Sequence, residues 1–279
     1  MALKPNEQDL LDRVQTGLGI GGTWQPSSSG ATLDVQDPAT GETIKTIADA
    51  TVEDAVRALD AAAAAQDSRA ATSSRERPNI LRRAFDLLME RKEEFALLMS
   101  MEMGKPIAEA RGEVVYGGEF LRWFSEEAVR VRGDYRQNPE GTGNMVVTHL
   151  PVGPTYFITP WNFPLAMATR KIAPALAAGC TVVIKPAALT PLTTIFFVQL
   201  LEEAGLPAGV VNVLPGFGRG AGEPLAMHMD VDGLVFTGST AVGKHLLTCA
   251  GRSNLKRAYM ECGGKSPNLV FADAPSLDR

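Results

Sequence analysis

The sequence predicts an α/β protein: a doubly wound, five-stranded parallel sheet, preceded by a helical segment and carrying a small arm. Two observations lead there. Between residues 152 and 263 the runs "TYFIT", "TVVIK", "GVVNVL", "GLVFTG" and "KRAYME" alternate with helical stretches such as "PLAMATRKIAPALAAG" and "PLTTIFFVQLLEEAG". Strands that are apolar throughout are buried on both faces, as parallel strands joined by right-handed helical crossovers are. From residue 51 to about 132, by contrast, apolar residues recur at helical spacing.

Taken in order, Thr51 and Asp54 resemble a capping box that opens the Ala-rich helix "TVEDAVRALDAAAAAQ". The run of alanines from Ala61 to Ala65 reflects high helix propensity. "RPNILRRAFDLLMERKEEFALLMSMEMGK" reads as one helix, broken by Gly104 and Pro106. "IAEARGEVVYGGEFLRWFSEEAVRV" reads as a third. "NMVVTHL" then reads as a strand in an exposed hairpin arm. The helical texture thus ends at about residue 132, and it gives way to short apolar runs after residue 143.

The chain of 279 residues is 45% hydrophobic and 21% charged, with a formal net charge of -5. Mild acidity without Lys/Arg clusters argues against a nucleic-acid surface. The N-terminus "MALKPNEQDLLDRVQ" lacks the apolar core of a secretory signal or an anchor, and no window approaches a membrane span. Cys180, Cys249 and Cys262 form no disulfide framework, and with three scattered histidines they show no zinc spacing. A soluble cytoplasmic protein without a metal is expected.

In a doubly wound sheet, ligands sit at the carboxyl ends of the strands. After "TYFIT" comes "PWNFP", where the Asn162 amide is a donor suited to an oxygen gaining negative charge; a turn asparagine between prolines is the simpler reading. Lys185 ends "TVVIK", where a ribose hydroxyl, a phosphate or snorkelling to solvent would satisfy its ammonium. Gly216, Gly218 and Ala221 in "PGFGRGAG" fit a loose dinucleotide fingerprint, but the acidic residue expected about 20 positions on is absent. Gly17, Gly19 and Gly22 in "GLGIGG" match by chance, after a helix-like segment. Gly238 and Ser239 open a helix whose first N–H groups suit a pyrophosphate, though a plain N-cap would use the same residues. Glu261 ends the fifth strand.

Together "PWNFPLAMATRKIAPALAAGC", "VVIKPA", "FTGST" and "MECGGKSPN" resemble the aldehyde dehydrogenase superfamily, colinearly along essentially the whole chain. The resemblance implies a cysteine thiolate that attacks an aldehyde, hydride transfer to NAD(P)+, and hydrolysis of the thioester by water. It makes Asn162 the oxyanion donor and Glu261 the base that activates the water. On the cofactor side it implies Trp161, Asn162, Lys185 at the adenosine ribose, Ala188, Gly218 and Gly222 below the adenosine, and Gly238 and Ser239 at the phosphates. It divides the chain into the helical part of the cofactor domain at 1–132, an oligomerisation arm at 133–151, the Rossmann-like dinucleotide-binding sheet at 152–263 and the start of the catalytic domain at 264–279. A homo-oligomer is expected of the full-length protein.

The resemblance also places the nucleophile in a loop downstream of the Glu signature, beyond Arg279, so the chain alone is expected to form no product. Cys262 stands where the family carries a compact apolar residue and reads as a buried, inert thiol. Ala188 replaces a Glu usual in NAD+-preferring members, so NADP+ is the expected cofactor with NAD+ as the alternative; Arg219 in the glycine loop reads as a solvated cation. Arg170 in "WNFPLAMATRK" is similar to succinate-semialdehyde dehydrogenases, where the arginine holds the substrate's distant carboxylate. From "VLPGFG" to "FADAPSLD" the chain is more similar to broad-substrate and aminoaldehyde members. The competing expectation is a catalytically silent fragment that binds dinucleotide or pairs with intact subunits.

Overall fold

The computed structural model describes residues 3–273; residues 274–279, part of the segment assigned to the next domain, lie outside them. The chain opens with helix α1 (Pro5–Arg13) and four short strands, β1 (Leu18–Ile20), β2 (Thr23–Gln25), β3 (Thr32–Gln36) and β4 (Thr43–Ala48). Helix α2 (Val52–Ala71) follows, with Thr51 and Asp54 exchanging side-chain-to-backbone hydrogen bonds as a capping box. Helices α3 (Glu76–Glu90), α4 (Lys92–Met103) and α5 (Ile107–Glu127) come next, α4 ending on Gly104 at φ 78°. Strands β5 (Asp134–Gln137) and β6 (Asn144–Val147) form an exposed antiparallel hairpin. Then β7 (Thr155–Ile158), α6 (Ala166–Ala178), β8 (Val182–Lys185), α7 (Leu192–Glu203) and β9 (Val211–Val213) alternate. A π-helical turn (Gly218–Gly222) leads into α8 (Glu223–Met227), followed by β10 (Gly233–Gly238), α9 (Thr240–Arg252) and β11 (Arg257–Cys262).

The five expected strands are parallel and neighbours in the order β11-β10-β7-β8-β9. The chain runs outward from β7 through β8 to β9, then returns to place β10 on the other side of β7. That reversal is a topological switch point, where the carboxyl ends of the strands leave a crevice. Both sheet faces are covered, which accounts for the apolar strands. Phe157, Val182 and Ile184 pack with α3 to α7 in one core, while their neighbours Tyr156 and Val183 pack with α2, α8 and α9 in a second.

Three features differ from the sequence reading. The sheet has seven strands, because β1 pairs antiparallel with β9 and carries β2 at the edge. The segment before residue 133 is therefore not wholly helical, and Gly19 lies in a strand whose following turn is pinned by Gly21 N–H donating to Asn212 Oδ1 at 2.8 Å. The long second helix is two helices, parted at Arg91, which binds both carboxylate oxygens of Glu203.

Two buried carboxylates hold the helices that follow β7 and β8. Neither α6 nor α7 has an acidic residue in its first turn or a capping side chain of its own. Glu113 of α5 accepts from Leu165 and Ala166 N–H at 3.0 and 3.1 Å, and Glu102 of α4 accepts from Leu192 and Thr193 N–H at 2.7 and 2.9 Å. Each supplies the acceptor and negative charge that a helix start needs. Burial pushes the Glu102 carboxyl up to about 7, against the lowering effect of its donors. A raised folded-state value means stability present below the unfolded carboxyl range and lost as pH rises through about 7. Relative to Glu102→Gln, the native chain is expected to lose about 3 kcal/mol of unfolding free energy between pH 4.5 and 7.5. Urea titrations across that range measure it; a flat difference would exclude the buried proton.

Candidate functional site

Two clefts open at the switch point, and both are bounded by Ile158 at the end of β7 and Val242 of α9. The first, about 780 Å³, is lined by Lys185, Gly218, Gly222 and Glu223, among others. The second, about 750 Å³, is lined by Trp161, Asn162, Gly238, Ser239, Glu261 and Cys262, among others. Eight of the sequence candidates thus converge from the ends of five strands on one continuous edge.

In the first cleft, Lys185 is buried at the end of β8, where its Nζ donates to the Gly216 and Pro186 carbonyls at 2.8 and 3.0 Å. An ammonium has three protons, so two hydrogen bonds leave one for a ligand. Burial brings this lysine down to about 8, opposed by the charge of Asp49. The loop after β9 is fastened by Phe217 N–H donating to Asp49 Oδ1 at 3.2 Å. Gly216 has φ +145°, and a Cβ there would stand 2.6 Å from Asp49 Oδ1, so only glycine lets the loop lie this close. At Gly218 a Cβ would meet nothing within 4 Å. Among the described residues none fills the space over that glycine, which opens onto the cleft.

The second cleft is floored by a loop whose backbone is tied down from the α4–α5 connection and from the start of α7. The Trp161, Asn162 and Pro164 carbonyls accept from Thr190 Oγ1, Lys105 Nζ and Thr194 Oγ1, each at 3.1 Å. Lys105 also pairs with Glu113, and its Nζ stands 4.1 Å from the centre of the Phe163 ring. The side chains of Trp161 and Asn162 are left exposed in the cleft. Across it, Ser239 caps α9 by accepting from Val242 N–H at 3.3 Å, one of the first-turn donors that a helix leaves without a partner of its own.

Glu261 is exposed on β11, in register with Thr237 of β10. Thr237 Oγ1 accepts from Lys171 Nζ at 2.7 Å. Burial and the charge of Arg170 bring Lys171 down to about 8, and the charge of Glu261 works the other way. Lys171, Lys105, Glu113 and Asp49 escaped the sequence reading. Only Lys171 had a signal, a cation in the middle of an otherwise apolar helical stretch.

Cys262 is exposed, not buried as its place in the family resemblance implied, because β11 is the outer strand of the sheet. Its sulfur lies where a Cβ on Gly243 would come within 2.6 Å, against α9. Successive residues of a strand face opposite sides, so the thiol points away from the face that Glu261 and Lys171 share. Two further candidates stand apart from the paired clefts. Ala188 is half-buried in a smaller pocket of about 280 Å³ with Trp161, Leu189 and Thr190. Arg170 is exposed on α6, 6.0 Å from the centre of the Phe120 ring.

Residues 24–279 match the aldehyde dehydrogenase family. A succinate-semialdehyde dehydrogenase of Paenarthrobacter nicotinovorans is 60% identical over 237 residues, covering 85% of this chain and 52% of that protein. The NADP(+) succinate-semialdehyde dehydrogenase GabD of Escherichia coli K12 is 42% identical over 278 residues, covering 99% of this chain and 56% of that one. The crystal structure of succinate-semialdehyde dehydrogenase from Burkholderia pseudomallei superposes with a TM-score of 0.89 at 41% identity, over 98% of this chain and 55% of the other. The chain spans about half the length of the curated relatives it matches. Family match, strand order and overall superposition agree: the chain belongs to the aldehyde dehydrogenase family.

Proposed function

We propose that this chain forms the dinucleotide-binding part, and supplies two of the catalytic groups, of an enzyme that oxidises a semialdehyde such as succinate semialdehyde to the acid with NADP+. The observation that carries the reading is the pair of clefts meeting at Ile158 and Val242, which joins the Lys185 and Gly218 wall to the Asn162 and Glu261 wall. Lys185, with its spare proton, and the open Gly218 surface hold the adenosine side. The first turn of α9 takes the phosphates. The bound cofactor supplies the hydride acceptor.

Around the reacting carbon, the Asn162 amide donates to the aldehyde oxygen as that oxygen gains charge. The backbone ties from Lys105, Thr190 and Thr194 keep this donor fixed before substrate arrives. Glu261 takes the proton of the attacking water. Arg170 is assigned to the substrate's distant carboxylate. Cys262 is not assigned as nucleophile, since its sulfur faces α9. Turnover of succinate semialdehyde that vanishes in Cys262→Ser would contradict this.

Calorimetric titration of the chain with NADP+ and NAD+ tests the cofactor reading. Saturable binding that favours NADP+ supports it, and no binding of either cofactor overturns it. In Ala188→Glu the preference is expected to move toward NAD+ by about tenfold, the effect of roughly 1.4 kcal/mol of like-charge repulsion on a 2′-phosphate.

The hairpin favours a second, compatible role in subunit pairing. Tyr135, Val146 and Leu150 are 68%, 69% and 84% exposed, an apolar surface that a second copy would cover. Mutating Tyr135 and Val146 together to serine is expected to reduce any oligomer to monomers in sedimentation, with the monomer's circular dichroism unchanged.

A further inference from the structure

His245 and Cys249 stand four residues apart on α9, so their side chains leave the same face of the helix. Cys249 is buried, while His245 is exposed above it. Glu223, the first residue of α8, reaches the same point from the neighbouring helix. His245 Nε2 is 3.4 Å from Glu223 Oε2 and 3.7 Å from Cys249 Sγ, and the three ligand atoms lie within 4.8 Å of one another. Zn–N and Zn–O bonds near 2.0–2.1 Å and a Zn–S bond near 2.3 Å place tetrahedral neighbours roughly 3.3 Å (N···O) and 3.5 Å (N···S) apart. The two separations from Nε2 lie within about 0.2 Å of those tetrahedral edges, and the third, within 4.8 Å, is one for the exposed Glu223 side chain to close.

We propose that Glu223, His245 and Cys249 form a binding site for one zinc-class divalent ion, through a carboxylate oxygen, Nε2 and the thiolate sulfur, with the fourth position open to water. The chemistry selects the ion. A thiolate and an imidazole favour Zn²⁺ or Co²⁺ over Mg²⁺ and Ca²⁺, which take oxygen ligands. The carboxylate and thiolate together carry two negative charges, which neutralise a divalent cation. Binding releases the Cys249 proton to solvent. The nearest buried cation, Lys256, is tethered by donating to Ala226 O and Ser253 Oγ, both at 2.7 Å, so it is held on the α8 backbone rather than in the ligand set. Glu223 and His245 also line the cleft that contains Lys185. An ion drawing them together at that wall is expected to compete with a dinucleotide there, a consequence that rests on the function proposed above.

Co²⁺ titration of the metal-free chain tests the site, because cobalt bound by a thiolate in tetrahedral geometry gives a charge-transfer absorption. The band is expected to saturate at one equivalent and to vanish in Cys249→Ala. It should persist in Cys262→Ser, which removes the exposed thiol. In His245→Ala, an exposed position whose loss leaves the core intact, affinity should fall by about tenfold or more. No band at saturating Co²⁺, a band unaffected by His245→Ala, or one lost with Cys262 would overturn the proposal. Saturating Zn²⁺ should then weaken NADP+ binding in the native chain but not in His245→Ala. A chain that binds no dinucleotide refutes the cleft's reading alone, while the cobalt spectrum still decides the ion site.

Discussion

Replacing Glu113 with alanine is expected to destabilise the chain by about 3–5 kcal/mol, the effect of leaving a buried charge without its partner. Glu113 binds the Lys105 ammonium with one oxygen and the Leu165 and Ala166 N–H groups with the other, all in a buried setting. Alanine strands that ammonium and opens two donors at the start of α6 at once. Lys105 in turn holds the Asn162 carbonyl, so the damage extends to the floor of the second cleft. Urea unfolding measures the loss. Glu113→Gln, which keeps an acceptor for the helix but not the charge, should fall between native and alanine. An alanine variant within 1 kcal/mol of native would show that α6 starts without this cap.

The second large effect concerns binding. Lys185→Met is expected to weaken dinucleotide affinity by about tenfold to a hundredfold, the value of one charged hydrogen bond at roughly 1.5–3 kcal/mol. Its unfolding free energy should change little, since methionine fills a similar volume and removes a buried cation. The pH dependence has a definite sign. With Lys185 at about 8, the ammonium is present below that pH and lost above it, so affinity should fall as pH rises from 7 to 9. In Lys185→Met that fall should disappear. A methionine variant that binds as tightly as the native chain would remove Lys185 from the site.

The parallel strands were legible because burial on both faces leaves a simple mark: "TVVIK" runs Val-Val-Ile without alternation up to its terminal lysine. The strands β1 and β2 left no such mark. They are three residues each, too short for a period, and exist because the open edge of β9 accepts them. The break at Arg91 was hidden for another reason. It involves no glycine or proline, only the charged run "ERKEE", which continues a helical pattern as readily as it interrupts one.

The site divides along the same line. Asn162, Lys185, Gly238 and Glu261 could be found because strand ends are where this architecture places ligands. Lys105 and Glu113 could not, since each sits in or beside a helix far away in sequence and acts only through tertiary contact. Cys262 misled because the family carries a compact apolar residue at its position, whereas edge position decides its exposure. His245 and Cys249 carried the four-residue spacing of a ligand pair, but Glu223 joins them only when α8 packs beside α9.

Hydrogen exchange of the chain with and without NADP+ tests the central claim most directly, that the two clefts form one dinucleotide site. Added cofactor should protect residues 216–222, the first turn of α9 at 239–243 and the loop at 160–163 together. Protection of one wall without the other, or protection confined to other parts of the chain, would contradict it.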